Sequence, residues 1–185
     1  MHNVLPCLAV ALLAATSLGC GPVQRKPVVA NKVPAKIEAF EYGRVTLRAG
    51  PLKDAFERNR QYLHTLTPDR YLWTFRKTAD LPTPDEPYGG WEAPKGELRG
   101  HSIGHYLSAC ARVIAQDGDT VLRKNADYTV AELAKCQAKH PGGYLSAYPE
   151  EFFDRLEARE KVWAPYYTMH KIMLGLWEMY ACAGN

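Results

Sequence analysis

The sequence lacks the patterns that mark several common classes of protein. No CxxC pair and no Cys/His spacing typical of zinc ligands occurs among its five cysteines and six histidines. The formal net charge is only +3, and no dense basic stretch with interleaved aromatic residues is present, so nucleic acid is not a predicted partner. There is no nucleophile elbow and no phosphate-binding glycine loop, and no two carboxylates show a spacing that would assign hydrolysis.

The only long apolar run lies at the N-terminus. Residues 4–19 are almost wholly apolar and end in small residues, but they are too short to span a bilayer comfortably. This pattern predicts a signal peptide over residues 1–20 and therefore an exported protein. Ser17-Leu18-Gly19-Cys20 resembles a lipoprotein box, although its leucine is displaced by one position. Lipidation of Cys20 and ordinary cleavage both stay open, and a lipid anchor is the only predicted contact with a membrane.

The remainder predicts an all-α protein with a short extended N-terminal arm. Prolines predict a flexible tether over residues 21–39, and residues 40–47 suit a short strand or an extended arm. Pro51 begins a helix that Pro68 closes, and a long connection from Tyr71 to Leu98 follows. Further helices are predicted at residues 100–116, 119–139 and 165–183, with a short exposed helix inside residues 144–161.

The helices at residues 100–116 and 165–183 resemble each other. Each has a histidine near its start and ends in glycine followed by Asp or Asn, which indicates a helical-hairpin repeat with a period of about 65 residues. The helix at residues 119–139 has one charged face, whereas that at residues 165–183 is apolar nearly all round and is predicted to be buried on all sides. Alternating inner and outer helices predict a two-layer α/α arrangement.

Two histidines near the start of the 100–116 helix are the sharpest candidates for chemistry. His101 and His105 share one helical face with Ser108 and Arg112, on a helix that is otherwise apolar. They are either satisfied structural histidines, a metal site that lacks the carboxylate of HExxH, or donors and acceptors for sugar hydroxyls. Because His170 sits at the equivalent end of the second inner helix, we expect the histidines to converge on one wet cleft shaped for a sugar.

The long connection adds two further candidates. Trp91 and Glu92 follow Gly89-Gly90, so the ring is expected to line the mouth of the cleft and the carboxylate to bind hydroxyls. The alternative is a tryptophan that only pins the loop to the helices. Glu97 and Arg99 predict a salt bridge within the loop.

Several unusual strings occur together in one order and resemble a known bacterial family. They are Tyr88-Gly89-Gly90-Trp91-Glu92, then Leu98-Arg99-Gly100-His101-Ser102-Ile103-Gly104-His105-Tyr106-Leu107-Ser108-Ala109, then Gly143-Tyr144-Leu145-Ser146-Ala147, and then Val162-Trp163-Ala164-Pro165-Tyr166-Tyr167-Thr168-Met169-His170-Lys171. Over residues 45–185 the chain is similar to the family first described as a domain of unknown function, DUF1680, which includes glycoside hydrolase families 127 and 146.

The resemblance implies that residues 40–185 are the N-terminal portion of an (α/α)6 toroid, truncated here, in an enzyme that releases L-arabinofuranose from plant glycans. The implied mechanism is retaining, with a zinc-held Cys nucleophile and a separate Glu as acid/base. These residues and the zinc are expected downstream, so no catalytic or metal-binding residue is assigned to this chain. Its own cysteines, Cys110, Cys136 and Cys182, are expected to be small buried hydrophobic residues on helices. The implied partner is an arabinose-containing oligo- or polysaccharide, and the implied location is the periplasm or, as a lipoprotein, the bacterial outer membrane.

Two other functions stay open beside this one. The chain would serve as a non-catalytic surface protein that binds glycans, or as another α/α-toroid sugar enzyme such as an unsaturated-glucuronyl hydrolase or a sugar epimerase. Because a six-hairpin toroid needs about twelve helices, we also expect this chain by itself to expose a large apolar surface.

Overall fold

The computed structural model describes Ile37 and residues 40–185, so the predicted signal peptide, Cys20 and most of the predicted tether lie outside the described residues. The described part contains helices and no β-strand. Its six α-helices are α1 (Pro51–Thr65), α2 (Pro68–Thr78), α3 (His101–Asp117), α4 (Thr120–Ala138), α5 (Glu151–Glu157) and α6 (Pro165–Ala183). Short 3-10 turns occupy Tyr42–Arg44, Gly90–Glu92 and Pro141–Gly143. The all-α prediction is confirmed.

Two predicted segments differ from the structure. The arm before α1 contains a 3-10 turn at Tyr42–Arg44 and no strand. Pro68 does not only close α1. It is the first residue of α2, where its missing N–H costs nothing, so the predicted connection from Tyr71 is wrong at its start. Leu72 and Phe75, three residues apart, are fully buried on the inner side of α2 and hold this helix on the core.

Helices α3 and α6 pack directly and run in the same direction. A Cβ atom on Gly104 would overlap the carbonyl group of Lys171, and a Cβ on Gly175 would lie 2.5 Å from the carbonyl oxygen of Gly104. Further along both helices, Arg112 of α3 reaches Glu178 of α6. Because contacts advance together along the two sequences, the helices are parallel, and the two glycines let their backbones approach closely.

Helix α4 folds back on α3 as the second half of a hairpin. Gly118 ends α3 in the left-handed region with a φ of 69°, and Asp119 caps α4 by accepting hydrogen bonds from the backbone N–H groups of Val121 and Leu122. Helix α2 lies beside α4, where Arg76 of α2 donates hydrogen bonds of 2.9 Å to the Tyr128 hydroxyl and to the carboxylate of Glu132 on α4. Helices α3 and α6 thus form one layer and α2 and α4 the other.

One face of α6 is exposed, contrary to the prediction that this helix is buried on all sides. Met173 is 64% exposed and Trp177 is 58% exposed, whereas Ile172 and Met179 on the opposite face are buried against α3. No helix in the part of the chain that the structure describes is long and apolar enough to cross a membrane.

Candidate functional site

The site is built at the N-terminal end of α3 by a carboxylate that caps the helix from the preceding loop. Glu92 is 7% exposed. Its Oε2 accepts a hydrogen bond of 2.6 Å from the backbone N–H of Gly100, and its Oε1 accepts one of 2.9 Å from that of Ser102. A carboxylate is favoured at this end of a helix by the unpaired N–H groups and the helix dipole. Gly100 has a φ of 93° and no room for a side chain against Ala147, so glycine is required there.

The buried imidazole of His101 lies against this carboxylate. Its Nδ1 is 2.8 Å from Glu92 Oε1 and 2.8 Å from the carbonyl oxygen of Leu98, so Nδ1 carries a proton and donates it to both acceptors. Burial alone would lower the pKa of His101, but the hydrogen bond to Glu92 raises it above its ordinary value. Burial alone would raise the pKa of Glu92, but its hydrogen bonds from His101 and Gly100 lower it. Each group therefore favours the charged form of the other.

An open layer of side chains covers this buried pair. The rings of His101 and His105 meet edge to face at 5.7 Å between centroids, and Nε2 of His105 lies 3.4 Å from the hydroxyl of Tyr167 on α6. The ring of Trp91 lies 6.0 Å from that of His101 and is 66% exposed. Burial, followed by the charges of Lys171 and His101, lowers the pKa of His105. His105 therefore presents a neutral imidazole with one donor and one acceptor to the solvent. We call His101, His105, Trp91, Glu92 and Tyr167 the histidine cluster.

His170 lies elsewhere on α6. It lines an apolar groove of about 450 Å³ with Met169, Met173, Trp177 and two neighbours, and no hydrogen bond or ring contact between described residues joins it to the histidine cluster. The structure thus brings four predicted site residues together and leaves His170 on a different face. Its role in binding a sugar stays a prediction.

Sequence comparison identifies the family of the chain. The model of the β-L-arabinofuranosidase GH127 catalytic domain matches residues 44–185. The chain belongs to the GH127 β-L-arabinofuranosidase family. No curated protein matches it. The matched range contains α1 to α6 and the whole histidine cluster, and membership makes this a glycosidase-family domain with a carbohydrate as its substrate class.

Sequence reasoning missed two polar residues on α6 of this GH127 domain. The hydroxyl of Tyr167 belongs to the histidine cluster. Glu178 accepts a hydrogen bond of 2.6 Å from Arg112, which lies on the same face of α3 as His101 and His105 but further along the helix. Glu178 is 6% exposed, and its Oε2 has no hydrogen-bond partner among the described residues. A signal for Glu178 existed, because it is the only carboxylate in the apolar sequence of α6.

The predicted salt bridge between Glu97 and Arg99 is absent from the described residues. Glu97 Oε2 instead accepts a hydrogen bond of 2.8 Å from the backbone N–H of Trp163, and Oε1 lies 3.6 Å from the guanidinium of Arg155. Arg99 donates to the carbonyl oxygens of Ala147 and Gly96. The loop is therefore tied to the segment before α6 by Glu97 and to the turn before α5 by Arg99.

The zinc site that the family resemblance implies is expected downstream and stays a prediction. The described residues contain no group of three His, Cys, Asp or Glu side chains that could hold a metal ion. Cys110, Cys136 and Cys182 are free thiols on three different helices; the first two are buried as predicted, whereas Cys182 is only partly buried. Burial raises the pKa of Cys110 to about 12 and that of Cys136 to about 11, so both are protonated at neutral pH. We therefore derive no catalytic step through zinc.

Proposed function

We propose that this chain supplies a sugar-binding surface to an exported glycosidase that releases L-arabinofuranose from plant glycans. The observation that carries the proposal is the histidine cluster, in which exposed donors and acceptors rest on a rigid, buried Glu92–His101 pair. Membership of the GH127 family supports a carbohydrate as the ligand. Rigid support of this kind is what a site needs when weakly held hydroxyl groups must be bound in one orientation.

Each side chain of the cluster has a distinct task in this proposal. His105 accepts from one sugar hydroxyl and donates to another through its two ring nitrogens, and the Tyr167 hydroxyl contacts the same ring of the substrate. The exposed face of Trp91 stacks on the apolar face of a sugar. Glu92 has both oxygens engaged within the protein, so it acts as a positioning residue that holds His101 and the start of α3.

An (α/α)6 toroid is the architecture we propose for the domain. The parallel inner pair α3 and α6, and the antiparallel return through α4, support it because a toroid of helical hairpins alternates inner and outer helices in this way. The apolar face of α6 that α3 does not cover also agrees with a larger helical assembly.

Binding of an L-arabinose-terminated oligosaccharide to the purified chain tests the proposed site. We expect His105→Ala to weaken binding about tenfold or more, since it removes a hydrogen-bonding group from the sugar, while the melting temperature changes little because His105 is exposed. His140→Ala, a histidine on the turn after α4, is the matched control. Equal losses of affinity and melting temperature in His105→Ala would assign His105 to packing and end the proposal.

Glycan binding without catalysis is the second candidate. It needs only the exposed hydrogen-bonding groups of the histidine cluster, and the buried Cys110 and Cys136 supply no nucleophile to that surface. Release of L-arabinose from the same oligosaccharide by the same preparation would refute the non-catalytic candidate. Binding without release is expected of both candidates, because the hydrolase is proposed to take its catalytic residues from downstream of this chain.

Export is proposed from the sequence of residues 1–20. Fractionation of cells that express the full chain tests it, with Cys20→Ala as the variant. We expect the wild-type chain in the membrane fraction and Cys20→Ala in the soluble exported fraction. A chain that stays inside the cell would refute export, and two identical distributions in the exported fraction would refute lipidation.

A further inference from the structure

A second cleft lies between α2 and the loop that precedes α3. The α2 face contributes Trp73, Lys77 and Thr78, the loop contributes Pro94 and Arg99, and the volume is about 170 Å³. No member of the histidine cluster lines it. This is smaller than the roughly 300–1,000 Å³ of sites for drug-sized ligands and suits a single sugar ring.

Arg99 brings a positive charge to this cleft. Its Nε donates a hydrogen bond of 2.7 Å to Ala147 O, and its Nη1 donates one of 2.9 Å to Gly96 O. These bonds use two of the five N–H donors of a guanidinium. Among the described residues no carboxylate lies within salt-bridge distance of Arg99: Glu97 pairs with Arg155, and Glu97 and Glu92 act on the Arg99 charge only at longer range. The guanidinium also lies 5.1 Å from the ring centroid of Phe152 and 5.8 Å from that of Tyr148. A half-buried cation whose hydrogen bonds go to neutral carbonyls favours an anion nearby.

Lys77 brings a second positive charge. Its ammonium group lies 5.7 Å from the ring centroid of Trp73, and no salt bridge joins it to a carboxylate among the described residues. None of the residues that line the cleft is acidic. The cleft thus combines two cationic side chains with one aromatic ring, which contributes an apolar face.

We propose that this cleft binds one uronic acid residue of a glycan. The planar carboxylate would lie between Arg99 and Lys77, since a guanidinium matches carboxylate geometry and an ammonium adds a second charge-assisted hydrogen bond. The apolar face of the sugar ring would pack on Trp73, a contact that an inorganic anion cannot make. The inference rests on the proposed function only in taking the ligand to be a carbohydrate.

The test is to titrate the full chain with galacturonate and, separately, with glucuronate. The tryptophan indole N–H resonances are monitored by NMR. We expect both acids to shift the resonance that Trp73→Phe removes, while galactose and glucose leave it in place. Lys77→Gln should weaken binding about tenfold, because one hydrogen bond to a charged group is lost. Lys95→Gln, an exposed lysine outside the cleft, should bind as the wild type does.

Arg99→Lys should weaken binding further, with circular dichroism as the check on folding. If Arg99→Lys does not fold, the Lys77→Gln and Lys95→Gln pair decides the matter. Equal affinity in that pair would overturn the proposal. Acetate or phosphate that shifts the Trp73 resonance at the same concentrations as the uronates would also overturn it, since the cleft would then take any small anion.

His105→Ala separates this proposal from the proposed function. Uronate binding that survives in His105→Ala places the acid away from the histidine cluster and supports the second site. Loss of uronate binding in that variant would place the acid at the cluster and overturn the second site. Uronate binding by a chain that binds no arabinose oligosaccharide would refute the proposed function alone.

Discussion

The crossing of α3 and α6 allows the sharpest prediction about stability. In Gly104→Ala the new methyl group would overlap the Lys171 carbonyl and lie 2.8 Å from the backbone nitrogen of Ile172. These are backbone atoms inside a helix, so they cannot rotate away as the tip of a side chain would. The two helices must move apart, and the packing between them is lost.

Two opposing effects set the magnitude. Overpacking a well-packed core costs about 1–3 kcal/mol, and occasionally more. Replacing glycine by alanine within a helix contributes about 0.5–1 kcal/mol in the opposite direction. Because the methyl group meets backbone, we take the upper part of the first range and expect a net loss of about 2 kcal/mol. For a domain of this size that lowers the melting temperature by roughly 4–8 °C.

Thermal and urea unfolding followed by circular dichroism measure this effect. Gly89→Ala is the matched control, because Gly89 has a φ of −88° and a Cβ there meets nothing within 4 Å. Gly104→Ala should also weaken sugar binding, since the crossing sets the distance between His105 of α3 and Tyr167 of α6. A Gly104→Ala chain as stable as Gly89→Ala would show that the helices do not cross at this point.

Three further predictions concern caps and the buried pair. Glu92→Gln should lower stability by about 2 kcal/mol, because a buried charge-assisted interaction is lost. The difference in melting temperature from the wild type should be largest between about pH 4.5 and 6.5. The stability that comes from the raised pKa of His101 is complete below pH 6.5 and is lost as the pH rises through that raised pKa. The stability that comes from the lowered pKa of Glu92 is complete above pH 4.5 and is lost as the pH falls through that lowered pKa. A difference that does not vary with pH would contradict the ion pair. Asp119→Ala should cost about 1 kcal/mol through loss of the α4 cap, measured by urea unfolding, and an unchanged midpoint would refute the cap. Ala164→Gly should raise the melting temperature by a few degrees, because Ala164 has a φ of 51° directly before a proline and a left-handed alanine costs about 1 kcal/mol; a lower melting temperature would contradict that strain.

The sequence predicted those parts of the fold that have local signals. The ends of α3, α4 and α6 lie within two residues of their predicted positions because Gly118, Asp119, Pro165 and Gly184 are caps or first-turn residues. Helix α2 was missed because a proline that ends one helix and a proline that begins the next look alike in sequence. Leu72 and Phe75 carried the helical spacing that would have revealed it.

The grouping of site residues was less predictable. That His101 and His105 share a face follows from helix geometry, but the partnership of His101 with Glu92 depends on how the eight-residue loop between them returns to the helix it precedes. Tyr167 joins the cluster only because α6 crosses α3 at one particular rotation, which the glycine pair fixes. The same rotation turns His170 outward. No periodicity within one helix contains that information.

Parallel packing explains why the repeated histidines still have a common feature. His105 and His170 lie in the second turn of helices that run side by side in one direction, so both lie near the same end of the inner layer. An antiparallel pair such as α3 and α4 would place equivalent second-turn residues near opposite ends, roughly 12 Å apart along the axis for helices of this length. The rotation of α6 about its axis then separates the two imidazoles. His105 lies in the histidine cluster between α3 and α6, and His170 lies in the apolar groove on the exposed face of α6. The repeat therefore specifies how far along the inner helices both histidines lie. The close contact between Gly104 and Gly175 specifies the direction in which each imidazole faces.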